Sequence, residues 1–269
     1  MRPSPLESSA QRWGVAPRLA GTLFWVPLVV SAALLFLPVV HGSLGSDARW
    51  LLERGFDVVL SEDGPVEWAQ VAGFAAACLG AALAGRRGFR SGAPCIGRFF
   101  TIVALGFFWI VGEEISWGQR IVGVLTPDWL SAVNEQDELN LHNVTGVREF
   151  LDYPRIAIGL WGVFGGLCAG WLARRGALAP LARAGFPLSA PLFLVPAFGV
   201  MLAYDALRAT LWRESGTFLR LVRYGEWPEL CFALGVGTFF LLAQRRMTQV
   251  EAPKPQLKPL EQDRLDPAA

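Results

Sequence analysis

Between Gly112 and Asn143 the chain reads GEEISWGQRIVGVLTPDWLSAVNEQDELNLHN, and nearly every side chain able to do chemistry lies there or at the same expected membrane depth. Two adjacent carboxylates, Glu113 and Glu114, open the stretch inside an apolar run, and His142, one of two histidines in 269 residues, closes it. A carboxylate withdrawn from water holds a proton more tightly, which suits it to general acid–base work. Helical spacing would put Glu113, Ser116 and Arg120 on one face, with Glu114 and Trp117 on a neighbouring one. Glu138 and His142 are four apart; on a helix they would share a face, at a spacing suited to a divalent metal or an acid–base pair. Glu113, Glu114 and His142 are therefore the catalytic candidates, and Glu138 with His142 the metal candidates. Ser116, Arg120, Asp205, Arg208 and Glu226 are the substrate-binding candidates, the two arginines as clamps for a phosphate or carboxylate. Two histidines exclude a three-histidine zinc site but leave open a divalent metal held by carboxylates and one histidine. The alternative for the same residues is structural: Arg120 or Arg208 neutralises a glutamate and locks neighbouring helices together.

The elements that must position these residues are membrane helices. The composition is 53% hydrophobic and 17% charged, against about a quarter charged in a soluble domain. Apolar stretches predict six spans, at about 19–40, 67–85, 96–118, 155–173, 188–207 and 226–243, in an all-α polytopic bundle capped by a loop with short helices. The first run exceeds the ~7–15 residues of a signal-peptide core, so it reads as an uncleaved anchor. A polar segment, 1–18, precedes the bundle, and a Pro-, Lys-, Asp- and Glu-rich tail, 247–269, reads as disordered. The stretch ARWLLERGFDVVL, in the polar excursion after the first span, reads as an interfacial helix, and Thr126-Pro127 as a helix start. None of the four cysteines has a CxxC partner, and no basic, aromatic-interleaved surface for nucleic acid is present.

With the N-terminus inside, the inner segments hold 15 of the 24 basic residues and only 5 of the 23 acids. The positive-inside rule then places both termini in the cytoplasm and the glutamate stretch outside. An Ala-, Gly- and Arg-rich chain with two lysines reads as bacterial, hence an inner-membrane protein with a periplasmic face. If the third helix starts near Ile96, Glu113 lies about 25 Å along it, just short of a ~30 Å hydrocarbon core. Asp205, Arg208, Glu226 and Glu229 fall at the same level, as do His41, Glu67 and Arg155 at other helix ends. Asp205 and Arg208 are expected to compensate one another or a glutamate of the third span.

The block Gly112–Arg120, with Asn140-Leu141-His142-Asn143 downstream, resembles a recurrent block in uncharacterised bacterial multi-pass membrane proteins, over about 32 of the 269 residues. Glu113, Glu114 and Arg120 are also similar to the first motif of the CAAX-processing-type glutamate intramembrane proteases. That resemblance implies a glutamate that activates water, with later histidines stabilising the transition state. Here Arg120 falls two positions later than that motif requires, and His142 is the only histidine that follows.

Three functions fit the pattern. The first is an enzyme acting on a lipid or lipid-linked substrate, the second a structural or accessory subunit that binds a membrane-protein partner. The third is a transporter, which lacks support from internal repeats or broken helix pairs.

Overall fold

The computed structural model of the chain describes residues 3–60, 64–134, 136–144, 146–176, 187–210 and 225–251. It is an all-α polytopic bundle, 81% helical. The helices are α1 (Pro5–Arg12), α2 (Pro17–Ser43), α3 (Ser46–Leu60), α4 (Pro65–Arg90), α5 (Pro94–Glu114), α6 (Gln119–Val122), α7 (Asp128–Ser131), α8 (Val147–Arg174), α9 (Val195–Thr210) and α10 (Glu226–Glu251). Short 3-10 turns at Ser116–Gly118 and Leu192–Leu194 precede α6 and α9. Among the described residues, five stretches are long and apolar enough to cross a membrane, in α2, α4, α5, α8 and α10. The segment expected as the fifth of six spans forms the second 3-10 turn and the 16-residue α9, which buries Ala197, Phe198, Met201 and Asp205 within the bundle. The expected interfacial stretch is helical, as α3. Beyond residue 251 the expected tail lies outside the described residues, and 247–251 continue α10.

Helix starts are written in the sequence. Proline begins α1, α2, α4 and α5, where its fixed φ and missing N–H cost nothing. At α1 a capping box is complete: Ser4 Oγ accepts from Glu7 N at 3.2 Å, and Glu7 accepts from Ser4 N at 2.8 Å. This helix is part of the bundle and not a loose polar lead. Ser9 and Ala10 are buried, Ser9 Oγ accepts from Leu192 N at 3.0 Å, and the Trp13 ring packs on Phe239 beneath Arg246.

The centre is α4, packed antiparallel to α5 and parallel to α10. Its small residues recur every three or four positions (Gly73, Ala77, Gly80, Ala81, Ala84, Gly88) and bring backbones into contact, the usual means of helix association in lipid. A Cβ on Gly73 would lie 2.7 Å from the Ala233 backbone, and one on Gly80 2.6 Å from that of Phe240. Phe74, Phe107, Phe198, Phe232 and Phe239 fill the remaining space. The α8–α9 pair is antiparallel and closes on α10, with Gly162 leaving room for the Phe198 ring. Apolar side chains on the outer faces of α2, α5 and α8, among them Val29, Phe36, Ile102, Leu105 and Leu167, are exposed where a bilayer would contact them.

Gly73→Val should therefore lower the thermal stability of the purified protein by about 1–3 kcal/mol, the usual cost of overpacking. Gly106→Ala, with open space around its Cβ position, should be neutral. Equal melting temperatures for Gly73→Val and the parent would show that the α4–α10 contact is not close.

Candidate functional site

Helix α5 does not run on through Ser116 to Arg120. It ends at Glu114, and Ser116, Trp117 and Gly118 all take positive φ, at 46°, 53° and 81°. Left-handed backbone costs a non-glycine residue about 1–2 kcal/mol, so something must hold it. The Trp117 ring folds back over Gly112, whose absent Cβ would stand 2.8 Å from it. Its Nε1–H donates to Glu113 Oε1 at 2.9 Å, while Ser116 Oγ donates to Glu138 Oε2 at 2.7 Å. The reversal removes the helical face expected to align Glu113, Ser116 and Arg120. Ser116 is fully buried, and the Arg120 side chain lies outside the described residues.

The loop that follows is built on side-chain amides. Asn134 Oδ1 accepts from Gln136 N and Glu138 N at 3.0 and 3.2 Å, and its Nδ2 donates to Asn140 Oδ1 at 3.0 Å. Asn140 Nδ2 donates to Glu138 Oε2 at 2.6 Å and to Ser116 Oγ at 3.2 Å. Gln119 reaches across the loop, donating to Thr126 Oγ1 at 2.7 Å and accepting from Leu139 N at 2.5 Å. Thr126 is therefore a loop tie and not a helix cap; α7 begins after Pro127 with no side-chain cap. This network holds 137–142 out of a helix, with Asp137 at φ 57°. Glu138 and His142 consequently do not form the expected pair. Glu138 turns to Ser116 and Asn140, and His142 to Glu113. Among the described residues no three His, Cys, Asp or Glu side chains come together as a metal-ligand set.

Glu113 joins helix and loop. Buried, it accepts from Leu141 N at 2.5 Å and His142 N at 3.0 Å through Oε2, besides the Trp117 indole. His142 Nδ1 lies 3.6 Å from the same oxygen, with a third of its side chain exposed. Burial acts to lower the imidazole pKa, but Glu113 beside it and the charges of Glu114 and Glu229 outweigh that, leaving it above the ordinary histidine value.

Glu114 lies in electrostatic reach of Glu229 and Glu226 on α10, Glu67 on α4 and His142 in the loop. On α4, Gln70 Nε2 donates to the Glu226 carboxylate and carbonyl, each at 3.0 Å. Glu229 is 3.8 Å from Arg155 Nη1, which carries the cluster into α8 and α9. Arg155 Nη2 contacts Asp152 Oδ1 at 2.6 Å and Asp205 Oδ1 at 2.7 Å, and Arg208 pairs with Asp152. Asp205 and Arg208 thus find partners on α8, and among the described residues neither pairs with the other nor with α5. The reason is the antiparallel α8–α9 packing, which sets 152 opposite 208 and 155 opposite 205. The site residues missing from the sequence reading are Gln70 and Asp152; the latter had a readable signal in its i, i+3 spacing to Arg155.

Fold and site together define a multi-pass membrane helix bundle with a polar cluster joining the ends of five helices, α4, α5, α8, α9 and α10, and a loop. Comparison with known proteins finds no matching family model, no matching curated protein and no matching solved structure.

The His142–Glu113 pairing has a pH signature. Because the folded-state pKa of His142 is raised, its stabilising contribution is fully present below about pH 6.5, the ordinary imidazole value, and is lost as pH rises through the raised value. Thermal unfolding of the purified protein across pH 5.5 to 8.5 should show that decline, and His142→Gln should flatten it. Glu113→Gln should flatten it too and cost about 1–3 kcal/mol at every pH, since an amide cannot satisfy the three donors. A slope unchanged in both variants would mean that the pair contributes nothing.

Proposed function

We propose that the chain is a bacterial inner-membrane protein, with both termini cytoplasmic and the polar cluster facing the periplasm, that acts on a lipid or lipid-linked substrate at the outer leaflet. The observation that supports the chemistry is the contact of His142 with Glu113 at the end of α5, with Glu114 in electrostatic reach of the same imidazole and of Glu67, Glu226 and Glu229. Glu113 is then a positioning residue, saturated by amide and indole donors. Its contact with Nδ1 leaves Nε2 of His142 to exchange a proton with substrate. Glu114 and His142 are the groups that would move the proton. Both arginines that the described residues place in the cluster are paired, Arg155 with Asp152 and Asp205, and Arg208 with Asp152.

A second reading is an accessory subunit held rigid for a membrane-protein partner. It is favoured by the same saturation of Glu113 and by the Asp152–Arg155–Asp205–Arg208 pairing, which locks α8 to α9.

The two readings part on Glu114→Gln and His142→Gln, expressed in a bacterial strain lacking the native gene. An acid–base role predicts loss of complementation at normal protein level, since such catalysis is worth about 10²–10⁴-fold. Full complementation by both variants at normal level would leave the subunit reading. For orientation, in a protein with its four cysteines replaced by alanine, a cysteine at Gln136 should react with a membrane-impermeant maleimide added to intact spheroplasts. One at Ser91, at the other end of α5, should react only after lysis. The reverse pattern would put the cluster in the cytoplasm.

A further inference from the structure

The stretch from Trp117 to Val133 is folded inside out. Its neighbours in the network, Ser116, Asn134, Glu138, Asn140 and Asn143, are all buried, Asn140 to 1% exposure. Apart from Leu130, which is buried, its large apolar side chains are exposed: Ile121, Val122 and Val124, with Leu125 at 88% and Trp129 at 70%. In water a contiguous apolar surface facing out over a polar interior is unfavourable. From Ile121 to Pro127 no side chain is ionisable.

The surface is continuous with a lipid-facing span. Trp117 packs edge-on against Trp109 at 5.0 Å and Phe108 at 6.3 Å between ring centroids, and both rings are exposed on α5 in line with Ile102 and Leu105. Several of the segment's backbone donors are satisfied locally, as lipid contact requires: Gly118 N to Ile115 O at 2.8 Å, Gly123 N to Gln119 O at 2.8 Å, and Leu130 N to Pro127 O at 2.9 Å. Irregular backbone exposed to lipid does not occur within the hydrocarbon core, which sets the depth at the headgroup–acyl boundary.

We propose that residues 117–133 form an in-plane element embedded in the leaflet at the Glu114 end of the bundle, with Ile121, Val122, Val124, Leu125 and Trp129 in contact with lipid. This holds whether or not the polar cluster does chemistry. The element is then a wall of the cluster on its bilayer side, with its water-facing edge at Gln136 and Asp137, which are exposed.

The test uses the intact protein carrying a genetically encoded fluorescent amino acid at Leu125, reconstituted into phosphatidylethanolamine–phosphatidylglycerol vesicles. Leu125 is so exposed that the probe displaces no packed atom, and a second probe at Val122 guards against a local defect. Both should emit to the blue of the same residue at Gln136. Both should be quenched more by lipids spin-labelled near the headgroup than by lipids labelled deep in the acyl chain, and only weakly by iodide. Iodide quenching at Leu125 and Val122 equal to that at Gln136 would place the segment in water and overturn the proposal. Blue emission insensitive to both quenchers would overturn it too, by showing the face covered by protein, such as a second copy of the chain.

Discussion

The arrangement at the polar end depends on one carboxylate. Glu113 is buried at the last turn of an apolar helix, where an unpartnered charge is costly, and it takes its partners from a loop 28 and 29 residues downstream. The Leu141 and His142 amides would be equally costly to bury unpaired. Each side of the contact removes the other's penalty, so helix end and loop are stable together and poor apart. The left-handed turn at Ser116–Gly118 follows, because the chain must leave α5 sharply for the loop to return to Glu113.

A second constraint operates in the membrane interior, where helices gain nothing by hiding apolar surface from lipid. There α4 offers glycine and alanine, and α10 presents its own backbone to them. This close contact fixes the register between the two helices and so sets Gln70 against Glu226. The α8–α9 pair is fixed differently, by charges at its end as well as by Gly159 and Gly162 against Leu202 and Phe198. The polar cluster sits where these two kinds of packing meet, and Arg155 reaching Glu229 is the bridge between them.

Much of the bundle is legible in the sequence because apolar length and proline starts are local signals. The proline that opens α4 and the arginines of its last turn mark a helix without reference to any neighbour. The level at which Glu114, Asp205, Arg208, Glu226 and Glu229 gather can also be read, by counting along each span. Pairing is not legible in this way. That Asp205 belongs to Arg155 depends on which helices are adjacent and at what register. Likewise, the periodicity that aligns Ser116 and Arg120 with Glu113 assumes a helix that the Trp117 indole and the Asn140 amide help to end. The part played by α1 is hidden for the same reason: eight mostly polar residues become structural only when Ser9 meets the Leu192 amide.

The adjacency of Glu113 and Glu114 separates their fates. Neighbours on an α-helix project about 100° apart, so two successive glutamates cannot address the same partners. One faces the returning loop and is saturated there by three donors. The other is in electrostatic reach of Glu67 on α4 and of Glu226 and Glu229 on α10. A purely structural end to α5 needs only the first. The second lies in electrostatic reach of His142, on the loop that Glu113 anchors. Consecutive positions on one helix thus serve different partners, and the division follows from helix geometry.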